Sequence, residues 1–316
     1  MILTVTLNPA VDKTMLISRM IIGSVNRADE VENVIGGKGI NVAKVLKQYD
    51  YDVKTMGFLG GYYGKMVSDE IEKMGISQKF TFVNGETRTS VNVISEDGYV
   101  TEFLEPGPMI SQEEIDAFLE DFKKELENED ITIVDISGSA PKGVSPDFYA
   151  KLITIAKDYG KKVILDASGE FLKKGAYARP YMIKPNLKEL ETLMGRRVQG
   201  IQEICESAVS LIEWGIPHVM VSMGSRGILY AYDAKDEIKT IYVSAPVIKA
   251  VNTVGSGDSA VAAFAMSITE GLEPTEIVKR SVAVSVANAL VVENGILDKE
   301  KVEEIYEGLS FVSPAM

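Results

Sequence analysis

The chain has 316 residues, 46% of them apolar, enough for one large domain or two ordinary ones around a substantial core. Its 33 basic and 46 acidic side chains leave a formal charge of −13; duplex binding needs net phosphate neutralisation, so a nucleic-acid partner is excluded, and a phosphate-bearing substrate would need a local basic cluster. The single cysteine, Cys205, rules out an intrachain disulfide and fits a reducing cytoplasm, and no apolar run approaches a membrane span.

The first residues, MILTVTLNPAVDK, lack a basic region followed by an apolar one, so no signal peptide is expected. Residues 2–8 predict a buried strand that runs into NPAVD (8–12). Asp12 then lies at a strand end, where open α/β sheets bind ligands, or it is a turn aspartate capping local backbone. Residues 10–35 read as short strands outside the main sheet. GGKGINVAKVLKQYD (36–50) follows, with Gly36, Gly37 and Gly39 permitting close backbone approach, Lys38 the charge within the loop, and Asn41 starting a helix. It is either an ordinary glycine turn or a loop that holds a polar substrate. Gly39 stands where a P-loop needs Ser or Thr, so that motif is set aside.

Residues 54–60 predict the next strand, and 86–105 a further set of accessory strands, with RTSVNVI alternating and EDG as its turn. These two accessory segments carry Arg27 and Arg88, surface residues in the plain reading. As a pair near Lys38 they supply the missing basic cluster, and the guanidinium fork suits a phosphate. Residues 111–127 predict a helix with a Ser111/Glu114 capping box and an apolar face of Ile115, Phe118, Leu119, Phe122 and Leu126. Strands follow at 131–138, 161–168, 181–186 and 218–224. Their near-continuous Val, Ile and Leu, alternating with helical stretches, predict a mostly parallel sheet covered on both faces. The absence of repeats and linkers favours one compact domain with a lid.

KPNLKEL (184–190) places Asn186 and Glu189 on one helix face, where they either cap the helix or hold Mg²⁺ through water. SMGSRG (222–227) is a turn that could receive a nucleotide. His218, Cys205 and Trp214 read as packing residues, which leaves no histidine for a triad or a metal cluster.

VNTVGSGDSAVAAFA (251–265) is a glycine loop opening a helix, the arrangement that binds phosphate through free N–H groups. Its GSGDSA lies too far down the chain for a dinucleotide fingerprint. Asp258, one residue beyond Gly255, Ser256 and Gly257, cannot ligate a phosphate but can take the proton from a hydroxyl that attacks one. That combination predicts a kinase acting on an alcohol.

With these residues in view, the chain resembles the PfkB, or ribokinase-like, carbohydrate kinases. GGKGINVAKVL (36–46) and NTVGSGDSAVAAF (252–264) match the family's signatures, KPNLKEL and SMGSRG match as well, and the resemblance covers essentially the whole chain. NPAVD, VNR (25–27), ETR (86–88) and ISGSAPKG (136–143) make it similar to the group containing 1-phosphofructokinase and tagatose-6-phosphate kinase. The resemblance implies a Rossmann-like three-layer αβα sandwich with a small β-sheet lid, one kinase domain over 1–316 with lid strands from about 10–35 and 86–105, and dimerisation through the lid. It implies ATP and Mg²⁺, with Asp258 as general base and Gly255, Ser256 and Gly257 as the anion hole. Asp12, Gly37, Lys38 and Asn41 would hold sugar hydroxyls, and Arg27, Arg88 and Ser139 the sugar's phosphate. Lys184, Asn186, Glu189, Ser222, Gly224, Gly227 and Thr253 would serve ATP and its magnesium. Asn92, four residues after Arg88 where 1-phosphofructokinases often have lysine, and TEFLEPGP (101–108) lean the reading toward tagatose 6-phosphate phosphorylated at C1, with fructose 6-phosphate as a second substrate. Phosphorylation of fructose 1-phosphate is the alternative. Intact Asp258 and its glycines argue against a sugar-phosphate sensor without catalysis.

Overall fold

The structure, a computed structural model, describes residues 1–97, 99–235 and 237–312. In chain order its elements are β1 (Ile2–Thr6), β2 (Ala10–Ile17), β3 (Glu30–Gly36), α1 (Lys38–Gln48), β4 (Val53–Leu59), α2 (Gly61–Lys73), β5 (Ser77–Phe82), β6 (Arg88–Ser95) and β7 (Val100–Leu104). Then come α3 (Gln112–Leu126), β8 (Ile133–Ser137), α4 (Phe148–Asp158), β9 (Lys162–Asp166), α5 (Gly169–Tyr177), β10 (Met182–Ile183), α6 (Leu187–Met194) and α7 (Gly200–Glu213). The chain continues through β11 (His218–Ser222), β12 (Ile228–Asp233), β13 (Ile238–Val243), α8 (Ser256–Glu270), α9 (Pro274–Asn288), α10 (Lys299–Gly308) and β14 (Phe311–Val312).

The large sheet runs β14-β13-β12-β11-β10-β9-β8-β1-β4-β5. From β5 to β11 every pairing is parallel, and β12, β13 and β14 extend it antiparallel. The parallel strands are apolar on both faces because helices cover both. Leu3, Val5, Val134, Ile136 and Leu165 face the core shared with α3, α4 and α7, whereas Ile2, Ile133 and Ile164 face the one shared with α1, α8 and α9. This is the three-layer αβα arrangement expected. The predicted helix at 111–127 forms as α3 with its capping box: Glu114 N donates to Ser111 Oγ at 3.2 Å and Ser111 N donates to Glu114 Oε2 at 2.7 Å. Such a cap stabilises a helix by about 1 kcal/mol.

The second sheet runs β3-β2-β6-β7. β2 pairs antiparallel with β3 and parallel with β6, and β6 pairs antiparallel with β7. Gly98 of the expected EDG turn lies outside the described residues. Leu7, Asn8 and Pro9 carry the chain directly from the end of β1 into this sheet. The strand expected over 181–186 contracts to Met182–Ile183: Pro185 has no N–H for a ladder, and Asn186 is already the N-cap of α6. The strands β12 and β13 and the two edge strands, β5 and β14, were not anticipated. Among the described residues, no helix is long and apolar enough to cross a membrane.

Candidate active site

On the face under α1 and α8, the parallel strands are apolar at their starts and polar at their C-terminal ends. Ile133 gives way to Asp135 and Ser137, Ile164 to Asp166, and Met182 to Lys184. α1 packs on β1, β4 and β8, and α8 packs on α1, so the first turns of both helices meet this polar edge. That is where an open α/β sheet binds ligands.

Both helices start on a glycine in the left-handed region. Gly37 (φ 122°) is the N-cap of α1 and Gly255 (φ 82°) that of α8, and neither end has a side-chain cap. The first-turn N–H groups therefore have no side-chain acceptor and face the polar edge. The helix begins at Lys38, earlier than the expected start at Asn41. Gly255 is held from beneath by Asn288, whose Nδ2 donates to the Val254 carbonyl at 2.8 Å and whose Oδ1 accepts from Gly295 N at 2.9 Å. Gly257 leaves room for Lys184, because a Cβ there would fall 3.1 Å from Lys184 Nζ.

Asp258 is the third residue of α8 and is buried. Asn41 Nδ2 donates to its Oδ2 at 2.9 Å. Burial lifts its carboxyl to about 6; Lys38, Asn41 and Lys184 pull it down and Asp166 pushes it up. Lys38 and Lys184 approach Asp166 from opposite sides: Lys38 Nζ donates to Oδ1 at 2.9 Å, and Lys184 Nζ lies 3.1 Å from Oδ2, an ion pair off the angle of a good hydrogen bond. Burial opposes the charge on Asp166, but the two ammoniums outweigh it and hold the carboxyl below its ordinary value. Lys38 is likewise held above its ordinary range, because Asp166 and Asp258 outweigh its own burial. A base with a raised carboxyl pKa, two ammoniums and two helix N-termini in one place suit proton abstraction beside an anion.

Asp12 and Arg88 sit on one face of the small sheet, where the register pairs Ala10 with Arg88 and Asp12 with Ser90. Burial raises the Asp12 carboxyl, with Arg88 and Lys44 opposing the rise. Gly36 packs so close that a Cβ there would fall 2.5 Å from Asp12 Cγ. Arg88 is anchored by Nε to the Asn8 carbonyl at 3.2 Å and by Nη1 to the Glu105 carbonyl at 3.3 Å. Asn8 Nδ2 donates to Ser139 Oγ at 3.3 Å, which ties Ser139 to the same corner. Arg27 does not join it. It lies exposed on the loop between β2 and β3 rather than in an accessory strand, so the positive charge comes from Arg88 and Lys44 around Asp12 and from Lys38 and Lys184 at Asp166, without Arg27.

Asn186 and Glu189 form a reciprocal capping box: Glu189 N donates to Asn186 Oδ1 at 3.0 Å and Asn186 N donates to Glu189 Oε2 at 2.8 Å. The simpler reading of that pair is therefore realised, and Glu189 Oε1 stays outside the box. One spare carboxylate oxygen suits a Mg²⁺ that keeps most of its waters. Among the described residues, no group of three or more His, Cys, Asp or Glu forms a denser cation site. Ser222 N donates to the Pro185 carbonyl at 3.0 Å, so the Asn186 and Ser222 loops lie side by side. Gly224 opens the exposed turn that Gly227 closes, and Thr253 lies exposed just before the α8 loop.

The sequence reading missed Asp135, Asp166, Asn8 and Asn288. For the two acids a signal existed: each is a lone carboxylate inside an apolar strand, IVDIS and VILD.

Comparison with known proteins agrees with this geometry. Residues 5–296 match the model of the pfkB family carbohydrate kinases. A Staphylococcus epidermidis tagatose-6-phosphate kinase is 36% identical over 319 residues, covering 99% of each chain. Escherichia coli phosphofructokinase-2 in complex with fructose-6-phosphate superposes with a TM-score of 0.87 at 26% identity, covering 97% of this chain and 98% of that one. The tetrameric inhibited form of the same enzyme gives the same TM-score, identity and coverage. With a buried carboxylate set among ammoniums and helix N-termini, and a family match over nearly all of its length, the chain belongs to the pfkB family and is a carbohydrate kinase, a phosphotransferase with an alcohol group as acceptor.

Proposed function

We propose that this kinase transfers the γ-phosphoryl group of ATP to the C1 hydroxyl of a ketohexose 6-phosphate, tagatose 6-phosphate first and fructose 6-phosphate second. Asp12, Lys38, Asn41 and the Gly37 backbone hold sugar hydroxyls, and Arg88 and Ser139 hold the 6-phosphate. Arg27, being exposed on a loop, would reach that phosphate only after the loop moves. Asp258 takes the C1 proton. The N–H groups of Gly255, Ser256 and Gly257, with Lys184, stabilise charge on the group in transit. Asn186, Glu189, Ser222, Gly224, Gly227 and Thr253 line the donor side. Mg²⁺, held through water near Asn186 and Glu189, supplies countercharge to the donor's phosphates when bound. The supporting observation is Asp258: a buried carboxyl raised to about 6, fixed by Asn41 at 2.9 Å, in the first turn of a helix with no side-chain cap.

The name of the 36%-identical relative supports tagatose 6-phosphate. Asn92, buried on the same face of β6 as Arg88, adds no positive charge to the phosphate corner. We further propose a single kinase domain with the small sheet as its lid, working in a reducing cytoplasm as a dimer that pairs through the lid. Asp258→Asn should keep fold and ATP binding but lose about 10²–10⁴ in kcat, the contribution of a positioned base. Retention of more than about half of wild-type turnover would rule Asp258 out, since no general base is that dispensable. Comparing ADP release with tagatose 6-phosphate, fructose 6-phosphate and fructose 1-phosphate tests the substrate. A tenfold preference for fructose 1-phosphate, about 1.4 kcal/mol, would replace this reading with a 1-phosphofructokinase.

A further inference from the structure

Behind Asp258 the sheet carries polar groups that phosphoryl transfer does not itself use. On the face under α1, Ile2 of β1 gives way to Thr4 and Thr6, and Val53 of β4 to Thr55. Register places Thr55, Thr4 and Asp135 side by side in one row across β4, β1 and β8. All of these residues are buried. Thr4 Oγ1, Thr6 Oγ1, Thr55 Oγ1, Asp135 Oδ2 and Asn41 Oδ1 have no hydrogen-bond partner within the protein. α1 closes over the strip, and a Cβ on Gly39 would fall 2.5 Å from Thr6 Oγ1. Asn41, two residues after Gly39 on α1, links this helix to Asp258: its Nδ2 donates to Asp258, and its Oδ1 is one of the unpartnered atoms. Native cores do not leave so many polar atoms unsatisfied in one place, and internal water is the usual partner.

Asp135 has one side-chain partner, Ser137 Oγ, which donates to its Oδ1 at 2.6 Å. Asp166 faces it from β9, Asp258 from α8, Lys38 from α1 and Tyr149 from α4. The nearby ammoniums of Lys38 and Lys184 are both committed to Asp166. A fully buried carboxyl without its own cation is not held ionised. Burial raises Asp135 to about 8; Ser137 and Lys38 oppose this, and Asp166 and Asp258 add to it.

We propose that Asp135 is a neutral carboxylic acid in the working enzyme, that it and the threonine row hold a small water cluster beneath α1, and that this cluster positions Asp258 through Asn41. Asp135 is thus a positioning residue, and its ionisation, which releases its proton to solvent, sets the alkaline limit of turnover. An ionised Asp135 places a third carboxylate beside Asp166 and Asp258 and opposes the arriving phosphates. It also turns an O–H donor into an acceptor, so the waters that orient the Asn41 amide reverse. The inference rests on Asp258 being the base.

The first test needs no turnover. The infrared spectrum of the ligand-free protein at neutral pH should contain the carbonyl stretch of a protonated carboxylic acid that is missing from Asp135→Asn; its absence from the wild type overturns the proposal. The second test is the pH profile of kcat. Asp135→Asn mimics the neutral acid, so its alkaline limb should move above the wild-type limb near pH 8; an unmoved limb refutes the role. Thr4→Val keeps the shape and removes a hydroxyl. It should lower kcat with little change in KM while circular dichroism stays native, and an unchanged kcat refutes the water cluster. If instead Asp258→Asn stays active while the infrared band is present, the assignment of the base is what fails.

Discussion

One methyl group at position 36 tests whether Asp12 holds the sugar. Gly36 ends β3 beside Ala10 of β2, and its backbone is not in the left-handed region, so alanine can adopt it without strain. The obstacle is space: the new Cβ would fall 2.5 Å from Asp12 Cγ and 2.9 Å from Oδ1, where ordinary contact begins at 3.4 Å. Oδ2 would be nearer still, at 2.0 Å, so the carboxyl must move by about 1.4 Å, the gap between 2.0 and 3.4 Å. It is half-buried between Arg88 and Lys44, so it can turn aside without unfolding the small sheet. A displacement of about 1 Å at a group that positions a reactant can cost on the order of 10²-fold. Gly36→Ala should thus fold normally, bind ATP normally and lose about that factor in kcat/KM for the sugar phosphate. Steady-state kinetics with each substrate varied, alongside a thermal melt, checks it. Wild-type kcat/KM in a protein with a wild-type melt would remove Asp12 from the site.

Four other outcomes follow from the same geometry. Arg88→Ala should raise KM for the sugar phosphate by roughly 10- to 100-fold, the loss of a charged hydrogen bond, and leave KM for ATP unmoved; equal effects on both would show a structural role through Asn8 and Glu105. The acid limb of kcat/KM should centre near 6, because Asp258 must be deprotonated to act, and a limb at the ordinary carboxylate value of about 4 would contradict it. Stability runs the other way: with its folded pKa raised, the stabilising contribution of Asp258 is present at low pH and lost as pH rises through about 6. Finally, Leu16, Val31, Phe103 and Leu104 are exposed on the small sheet, so sedimentation should find a dimer at micromolar concentration that Phe103→Asp dissociates, and a wild-type monomer refutes pairing through that sheet.

The glycine loops were legible because backbone approach and helix initiation leave a local mark: Gly37 and Gly255 each stand directly before an apolar helical run. The accessory strands were legible for a similar reason, since period-two patterns such as RTSVNVI survive in short stretches. Asp135 and Asp166 left only a lone carboxylate in an apolar strand as their mark, because what defines them is cross-strand placement. Asp166 becomes functional only when Lys38 and Lys184, 128 residues before it and 18 after it, arrive at opposite oxygens. Arg27 is the converse case: a basic residue near the right motifs, whose position on a loop no pattern encodes. Asn186 and Glu189 show that one spacing serves two purposes, since the three-residue step that aligns ligands on a helix is also the step of a capping box.

The parallel pairing of β2 with β6 makes the small sheet a ruler. Asp12 and Arg88 are carried on adjacent hydrogen-bonded strands, with Arg88 also fastened to the Asn8 carbonyl at the root of β2. Any displacement of that sheet moves both groups together and leaves the distance between them alone. That distance is quantised, because a slip of one residue would turn every side chain on the strand to the opposite face. On the proposed roles of Asp12 and Arg88, two sugars that differ in the separation between a hydroxyl and an existing phosphate would be discriminated by a backbone register that point substitutions cannot adjust gradually. Only the lengths of the side chains mounted on it can change by small steps.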